Sequence, residues 1–192
     1  NRAGVPLIEI VSTPCMHNPQ EAVAYAKAVK AIMEYLDASD CNMEEGSLRM
    51  DVNISVRKKG ETSLRNKIEI KNMNSFTFMH QAILHETERQ IEEYLKHPQK
   101  DHDEIIPACT YRWDADLQKT VLMRRKETAD DYRYFPEPDL PPLVLSQSYI
   151  DDIKNSLPEM PYQREKRYIK DLELSAYNAN ILVSEKKLAD YF

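Results

Sequence analysis

Between Ser47 and Arg57 the chain reads SLRMDVNISVR, and every second residue carries a group that can hold an ion or a phosphate. Ser47, Arg49, Asp51, Asn53, Ser55 and Arg57 fall on one parity; Leu48, Met50, Val52, Ile54 and Val56 fall on the other. Successive side chains of a strand point to opposite faces, so this pattern predicts a strand with one apolar face and one polar face. Its polar groups would stand about 6.5–7 Å apart along a line. A shorter alternation follows, with Lys67, Glu69 and Lys71 interleaved with Ile68 and Ile70. Antiparallel pairing of the two strands would join Arg49, Asp51, Asn53, Glu69 and Lys71 into one polar floor. Carboxylates on such a floor can hold Mg²⁺ and its cations can hold phosphates. The same residues could instead form a structural ion pair, Arg49 with Asp51 or Glu69, on a solvated strand.

The elements that would position this floor are legible on either side of it. Val5–Val11 is rich in β-branched residues and predicts a further strand. Asn18-Pro19-Gln20-Glu21 is a helix start, with Asn as cap, Pro at the first helical position and Glu three residues after the cap. The helix is expected to run to about Leu36, with an apolar stripe of Ala22, Ala26, Val29, Met33 and Leu36. Ser75 caps a second predicted helix, to about Lys96, with Phe76, Met79, Ile83, Ile91 and Leu95 on its buried face. Residues 107–113 and 119–125 read as a hairpin. The prolines of Asp131–Leu145 forbid a regular central strand and predict an extended arm pinned by Tyr132, Tyr134 and Phe135. From Ser146 the chain turns to short helical runs. The fold class expected is α+β, an antiparallel sheet with helices on its apolar face and a polar face left open. The division expected is residues 1–147 as one unit and 148–192 as the start of a helical one.

Composition narrows the function. The chain has 192 residues, with 32 Asp and Glu against 26 Lys and Arg, a formal net charge of -6. A main nucleic-acid footprint is normally basic, so this segment is not expected to supply one. The three cysteines, Cys15, Cys41 and Cys109, are far apart and form no CxxC, which reads as reduced thiols rather than zinc or disulfides. With three glycines in all, there is no Gly-rich phosphate loop, so any nucleotide would be held by a sheet and a metal. His80 and His85 are five apart on a helix, off the spacing for one metal, and His17, His97 and His102 fall in predicted loops. The acidic loop Glu44-Glu45-Gly46 adjoins the polar strand and is either a solvated turn or a source of one more ligand. The start at Asn1 and the stop at Phe192 inside a helical pattern suggest a piece of a longer polypeptide.

Four strings, NRAGVPLIEIVS, NMEEGSLRMDVNISVR, EIKNMNSF and DYRYFPEPDLPPL, resemble in this order the B-subunit family of bacterial and organellar aspartyl/glutamyl-tRNA amidotransferases. The resemblance runs from Asn1 to about Leu145. It implies a cradle-shaped catalytic domain related to glutamine synthetase and guanidino kinases. It implies ATP and Mg²⁺, with phosphorylation of the side-chain carboxylate of Glu-tRNA(Gln) or Asp-tRNA(Asn) and then amidation by ammonia. The partners implied are an amidase A subunit, a small C subunit and the misacylated tRNA, the last mostly through parts of the family's chain outside this sequence. The compartment implied is the bacterial cytoplasm or an organellar matrix. On this resemblance Glu69 and Lys71 are the catalytic candidates. Glu69, Asp51 and Glu45 are the metal candidates, and Arg49, Asp51, Asn53, Ser55 and Lys71 the contacts for ATP and its phosphates. The family's further metal ligands lie outside this sequence, so the segment alone is expected to be inactive. Thr13, Cys15, Met50 and Asp130 depart from the family's usual residues without touching the polar floor. The alternative from another class is a non-catalytic scaffold that positions tRNA or a partner subunit.

Overall fold

A computed structural model describes residues 4–125 and 138–192. The first helix, α1 (Pro19–Tyr35), starts as its sequence dictates: Asn18 Oδ1 accepts the Glu21 N–H at 2.8 Å, and Pro19 occupies the first turn. The Glu21 carboxylate turns back to accept the His17 N–H at 2.7 Å, closing the cap from the other side. Two strands follow, β1 (Met50–Ile54) and β2 (Ile68–Met73), then the long helix α2 (Phe76–Lys96). Ser75 caps α2 by accepting the Phe78 N–H at 3.0 Å. A single turn, α3 (His102–Ile105), leads into the hairpin β3 (Cys109–Asp114) and β4 (Lys119–Arg125).

The sheet order is β1-β2-β3-β4. β1·β2 and β3·β4 are antiparallel, but β2·β3 is parallel, so the sheet is mixed rather than wholly antiparallel as expected. The reason is topological: α2 carries the chain back along the sheet between β2 and β3, and a strand re-entering after such a crossover runs parallel to the one that left. The class itself is α+β, with α1 and α2 on the apolar side of the sheet. Ile54, Ile68, Ile70, Cys109 and Trp113 meet Met79, Ala82 and Ile83 of α2 and Ala22 and Ala26 of α1 in one core. A side chain as fully covered as Ile70 contributes about 1.5–3 kcal/mol.

Two expectations fail on this layer. Residues 5–11 form no strand: Val5, Leu7, Ile8 and Val11 are exposed, and none of them enters a ladder among the described residues. β-propensity describes a fit to a pleated surface, and no strand among the described residues offers one to this segment. The buried stripe of α2 also drifts from the sequence reading, because Ile91 and Leu95 face solvent while Glu86 and Gln90 are wholly buried.

The remaining helices are α4 (Gln147–Ser156), α5 (Pro161–Asp171), α6 (Ala176–Val183) and α7 (Lys186–Tyr191). α4 buries none of its residues. Tyr168, Ala179 and Val183 make a second, smaller core. It joins the first unit at the end of α1, where the buried Tyr35 hydroxyl donates to the Val183 carbonyl at 2.8 Å and Lys186 pairs with Asp37. Residue 147, the expected end of the first unit, is the first residue of α4. The aromatic arm with Tyr132, Tyr134 and Phe135 lies outside the described residues. The three cysteines are unpaired.

Candidate functional site

The alternation that predicts an eleven-residue strand yields a five-residue one. Before it, the Ser47 and Leu48 N–H groups turn back to the Asn42 carbonyl; after it, Ser55 donates its hydroxyl to the Arg65 carbonyl at 2.9 Å. Within the strand the polar parity survives. Asn53 stands opposite Glu69, and Val52 and Ile54 stand opposite Ile70 and Ile68 on the core side.

One irregularity shapes the site. Met50 pairs with Met73 and Val52 pairs with Ile70, so β2 spends one more residue than β1 over this interval. Lys71 and Asn72 together oppose Asp51. A bulge of this kind bends its strand and re-aims a side chain. Here it lets both Ile70 and Met73, three residues apart, reach the core, and it brings Lys71 against Asp51. The Lys71 ammonium donates to Asp51 Oδ2 at 2.9 Å and lies 3.1 Å from Glu69 Oε1. Asp51 and Glu69 therefore face the same side of the sheet, with one cation between them.

The parallel partner β3 extends this floor. Thr110 stands beside Glu69 in the register and donates its hydroxyl to Glu69 Oε2 at 3.2 Å. Arg112 stands beside Lys71, and its guanidinium lies 2.9 Å from Asp114. Asp114 in turn accepts the Leu117 N–H of the β3–β4 turn at 3.1 Å. Glu69 is thus the centre of the arrangement, with side-chain exposure of 17%, while Lys71 at 40% and Asp51 at 48% rise towards solvent. Thr110 and Arg112 are not among the candidates that the sequence reading singles out. A signal for them exists: Thr110, Arg112 and Asp114 share one parity, against Cys109, Tyr111 and Trp113 on the other.

Electrostatics fix the state of the central cation. The hydrogen bond with Asp51, then that with Glu69, raises the Lys71 pKa above the ordinary lysine value, against the effect of partial burial. Lys71 is an ammonium throughout the physiological range, suited to holding anions and not to accepting a proton. At the neighbouring end, the Leu117 N–H and then the Arg112 charge hold the Asp114 carboxyl below its ordinary range.

The other candidates are placed less centrally. Arg49 precedes β1, is exposed, and makes no hydrogen bond or ion pair among the described residues. Asn53 is exposed on the floor beside Glu69. Ser55 lies beyond the end of β1 with its hydroxyl engaged by Arg65. Glu45 sits in the turn over residues 43–46 and belongs to no cluster of three or more metal-ligating side chains, of which there is none among the described residues. Two carboxylates on one face are nevertheless a suitable donor set for Mg²⁺, which is commonly bound through one or two carboxylates plus phosphate oxygens.

Behind the floor lies a buried polar network on α2. Glu86 accepts from Arg89 at 2.7 and 2.9 Å, from Gln90 at 2.9 Å and from the Thr120 hydroxyl at 3.0 Å. Burial works against the Arg89 charge, but the bonds and charge of Glu86 outweigh it and leave the guanidinium pKa raised.

Comparison with known proteins bears on this geometry. The family model of the GatB/GatE catalytic domain matches residues 1–151. The chain is 69% identical over all 192 residues to a protein of Protochlamydia amoebophila named as the B subunit of an aspartyl/glutamyl-tRNA(Asn/Gln) amidotransferase. It is 60% identical to the protein of that name from Chlamydia pneumoniae and 58% identical to one from Chlamydia trachomatis, again over its whole length. In each case it spans 39% of the relative's length. No helix among the described residues is long and apolar enough to cross a membrane.

Proposed function

The chain belongs to the GatB/GatE catalytic-domain family, and on that premise we propose that its polar sheet face carries the ATP-dependent activation of a misacylated tRNA. The observation that carries this reading is the convergence of Asp51, Glu69, Lys71 and Thr110 on one open face, in a chain matched throughout by amidotransferase B subunits. The side-chain carboxylate of Glu-tRNA(Gln) or Asp-tRNA(Asn) attacks the γ-phosphorus of ATP, and ADP leaves. Ammonia then adds to the acyl carbon of the acyl phosphate, and phosphate leaves with the formation of the amide. The ammonia comes from an amidase A subunit, in a complex completed by a small C subunit. The cradle shape related to glutamine synthetase belongs to the same proposal.

Phosphoryl transfer needs positioned charge more than covalent help from the protein. Mg²⁺, when bound by Glu69 and Asp51 with Glu45 as a further candidate, supplies neutralisation of charge developing on the phosphoryl oxygens. The chain's own residues do the rest. Lys71, fixed as an ammonium between Asp51 and Glu69, is placed to turn towards a phosphate oxygen. Arg112 and Arg49 offer planar forks on either side of it. Asn53 donates from its amide beside Glu69. Thr110 holds one Glu69 oxygen and so orients the other.

The test is Glu69→Gln in the full-length subunit, assembled with its partners. The change removes charge with little volume, and the Thr110 hydroxyl can still donate to the amide oxygen. The expected result is loss of tRNA-dependent ATP hydrolysis and of amidated tRNA, with hydrolysis of free glutamine retained. Normal product formation would remove Glu69 from the mechanism, and with it this reading in favour of a positioning scaffold.

A further inference from the structure

Among the described residues β1 is an edge strand, paired with β2 on one side only. Its last residue, Ile54, is where the ladder stops. Where the ladder stops, a side chain of α2 takes over. Gln90 Oε1 accepts the Val56 N–H at 3.1 Å, and Gln90 Nε2 donates to the Ile54 carbonyl at 3.4 Å. In a parallel ladder one residue donates to the carbonyl of residue i−1 and accepts from the N–H of residue i+1. The carboxamide of Gln90 makes that pair of bonds around Ser55. It holds the backbone on both sides of Ser55 from a helix. Gln90 is wholly buried, and its Nε2 also donates to the buried Glu86 carboxylate at 2.9 Å, which fixes the rotation of the amide. Glu86 is itself anchored on Arg89 and on Thr120 at the start of β4.

We infer that Gln90 is a positioning residue for the reaction proposed above: its carboxamide clamps the exit of β1 and thereby holds Asn53 and Asp51 in place against Glu69 and Lys71. The inference rests on that proposed reading. Without the clamp the Ile54 carbonyl and Val56 N–H lose these two bonds, and the end of β1 is free to shift against β2. Asn53 is one residue from the clamp and Asp51 is three, so such a shift passes directly into the floor.

The experiment compares Gln90→Met and Gln90→Glu with the wild type in the full-length subunit and its complex. Met keeps length and loses all three bonds of the carboxamide; Glu keeps the acceptor for Val56, loses the donor and sets a second carboxylate against the buried Glu86. Assays are run well below each variant's melting transition. Since a displacement near 1 Å can cost a site about 100-fold, kcat for ATP-dependent amidation should fall by about 10- to 100-fold for Met and at least as far for Glu. Hydrolysis of free glutamine should be unchanged. Wild-type kcat in folded Gln90→Met, even with a lowered melting temperature, would overturn the inference and leave Gln90 a purely structural residue. Glu69→Gln is run beside them: normal amidation in that variant refutes the reading of the floor, whereas its loss with unchanged Gln90→Met refutes the clamp alone. Should neither Gln90 variant fold, amide hydrogen exchange of the wild-type complex decides. Mg²⁺-ATP should slow exchange at Val56 together with residues 51–54. Slowing confined to 51–54 would overturn the clamp.

Discussion

Replacing Lys71 by Met separates the chemistry of the floor from its contribution to the fold. The substitution keeps an unbranched stem and removes an ammonium that lies 2.9 Å from Asp51 and 3.1 Å from Glu69. Both Lys71 and Asp51 are well exposed, so screening keeps each ion pair at about 0–1 kcal/mol. Losing the two together, with Asp51 and Glu69 left facing one another, should cost about 1–2 kcal/mol. For a chain of this size about 1 kcal/mol corresponds to a shift of about 2–4 °C in melting temperature. A group that stabilises charge in the transition state is worth far more: removing one such donor typically lowers kcat by about 10²–10³. The expected outcome is a melting point lowered by a few degrees and ATP-dependent amidation lowered by at least two orders of magnitude. The stability difference also has a pH signature. The Lys71 pKa is raised in the folded protein, so its contribution is fully present below the ordinary lysine value of 10.5 and is lost as pH rises through the folded-state value. The gap in melting temperature between wild type and Lys71→Met should be constant from neutral pH to about 9 and close only at higher pH. A variant with near-wild-type kcat, or a gap that closes near neutrality, would refute the argument.

Arg49 is exposed and makes no bond within the described chain, so neither Arg49→Ala nor Arg49→Lys should move the melting point measurably. If its fork grips phosphate, both should raise the KM for ATP, since a lysine point charge does not reproduce bidentate geometry; unchanged kinetics in Arg49→Lys would show that only charge is needed. Glu86→Ala leaves the Arg89 guanidinium without its carboxylate and should destabilise the protein by about 3–5 kcal/mol, read by urea unfolding; a loss under about 1 kcal/mol would mean that Arg89 finds water instead. Limited proteolysis should cut first between residues 138 and 160, where α4 and its flanks bury no side chain; first cuts within residues 50–73 would contradict the placing of the two cores.

Much of this architecture can be read from single residues. Asn18 and Ser75 cap the helices that their side chains announce, and the alternation Asp51, Asn53, Glu69, Lys71 predicts a shared face because strand periodicity is strict. What escapes does so for physical reasons. The bulge at Lys71-Asn72 breaks the period of two, and its only trace is a pair of apolar residues, Ile70 and Met73, three apart. The parallel junction of β2 and β3 depends on where α2 returns the chain, which no local pattern states. Glu86 and Gln90 add nothing to an apolar stripe, yet each buries because it finds a complete set of partners on other elements. Residues 5–11 err the other way, with strand propensity but no ladder to join.

The crossover between β2 and β3 has a consequence for how the site comes into being. The Lys71–Asp51 contact closes a loop of 20 residues, and the Thr110–Glu69 contact one of 41. Loop-closure entropy rises only logarithmically, so the doubling adds about 0.6 kcal/mol. Chain entropy therefore gives little reason for the two halves of the floor to form at very different moments. The two halves differ instead in what they depend on: β3 lies beside β2 through the crossover of α2, 21 residues long, whose buried face covers the sheet. The first half of the floor belongs to a hairpin, the second to the tertiary structure. Glu69 thus has its Thr110 partner only where the unit is closed around α2, and a partly unfolded chain presents its carboxylates without the geometry that gives them a use.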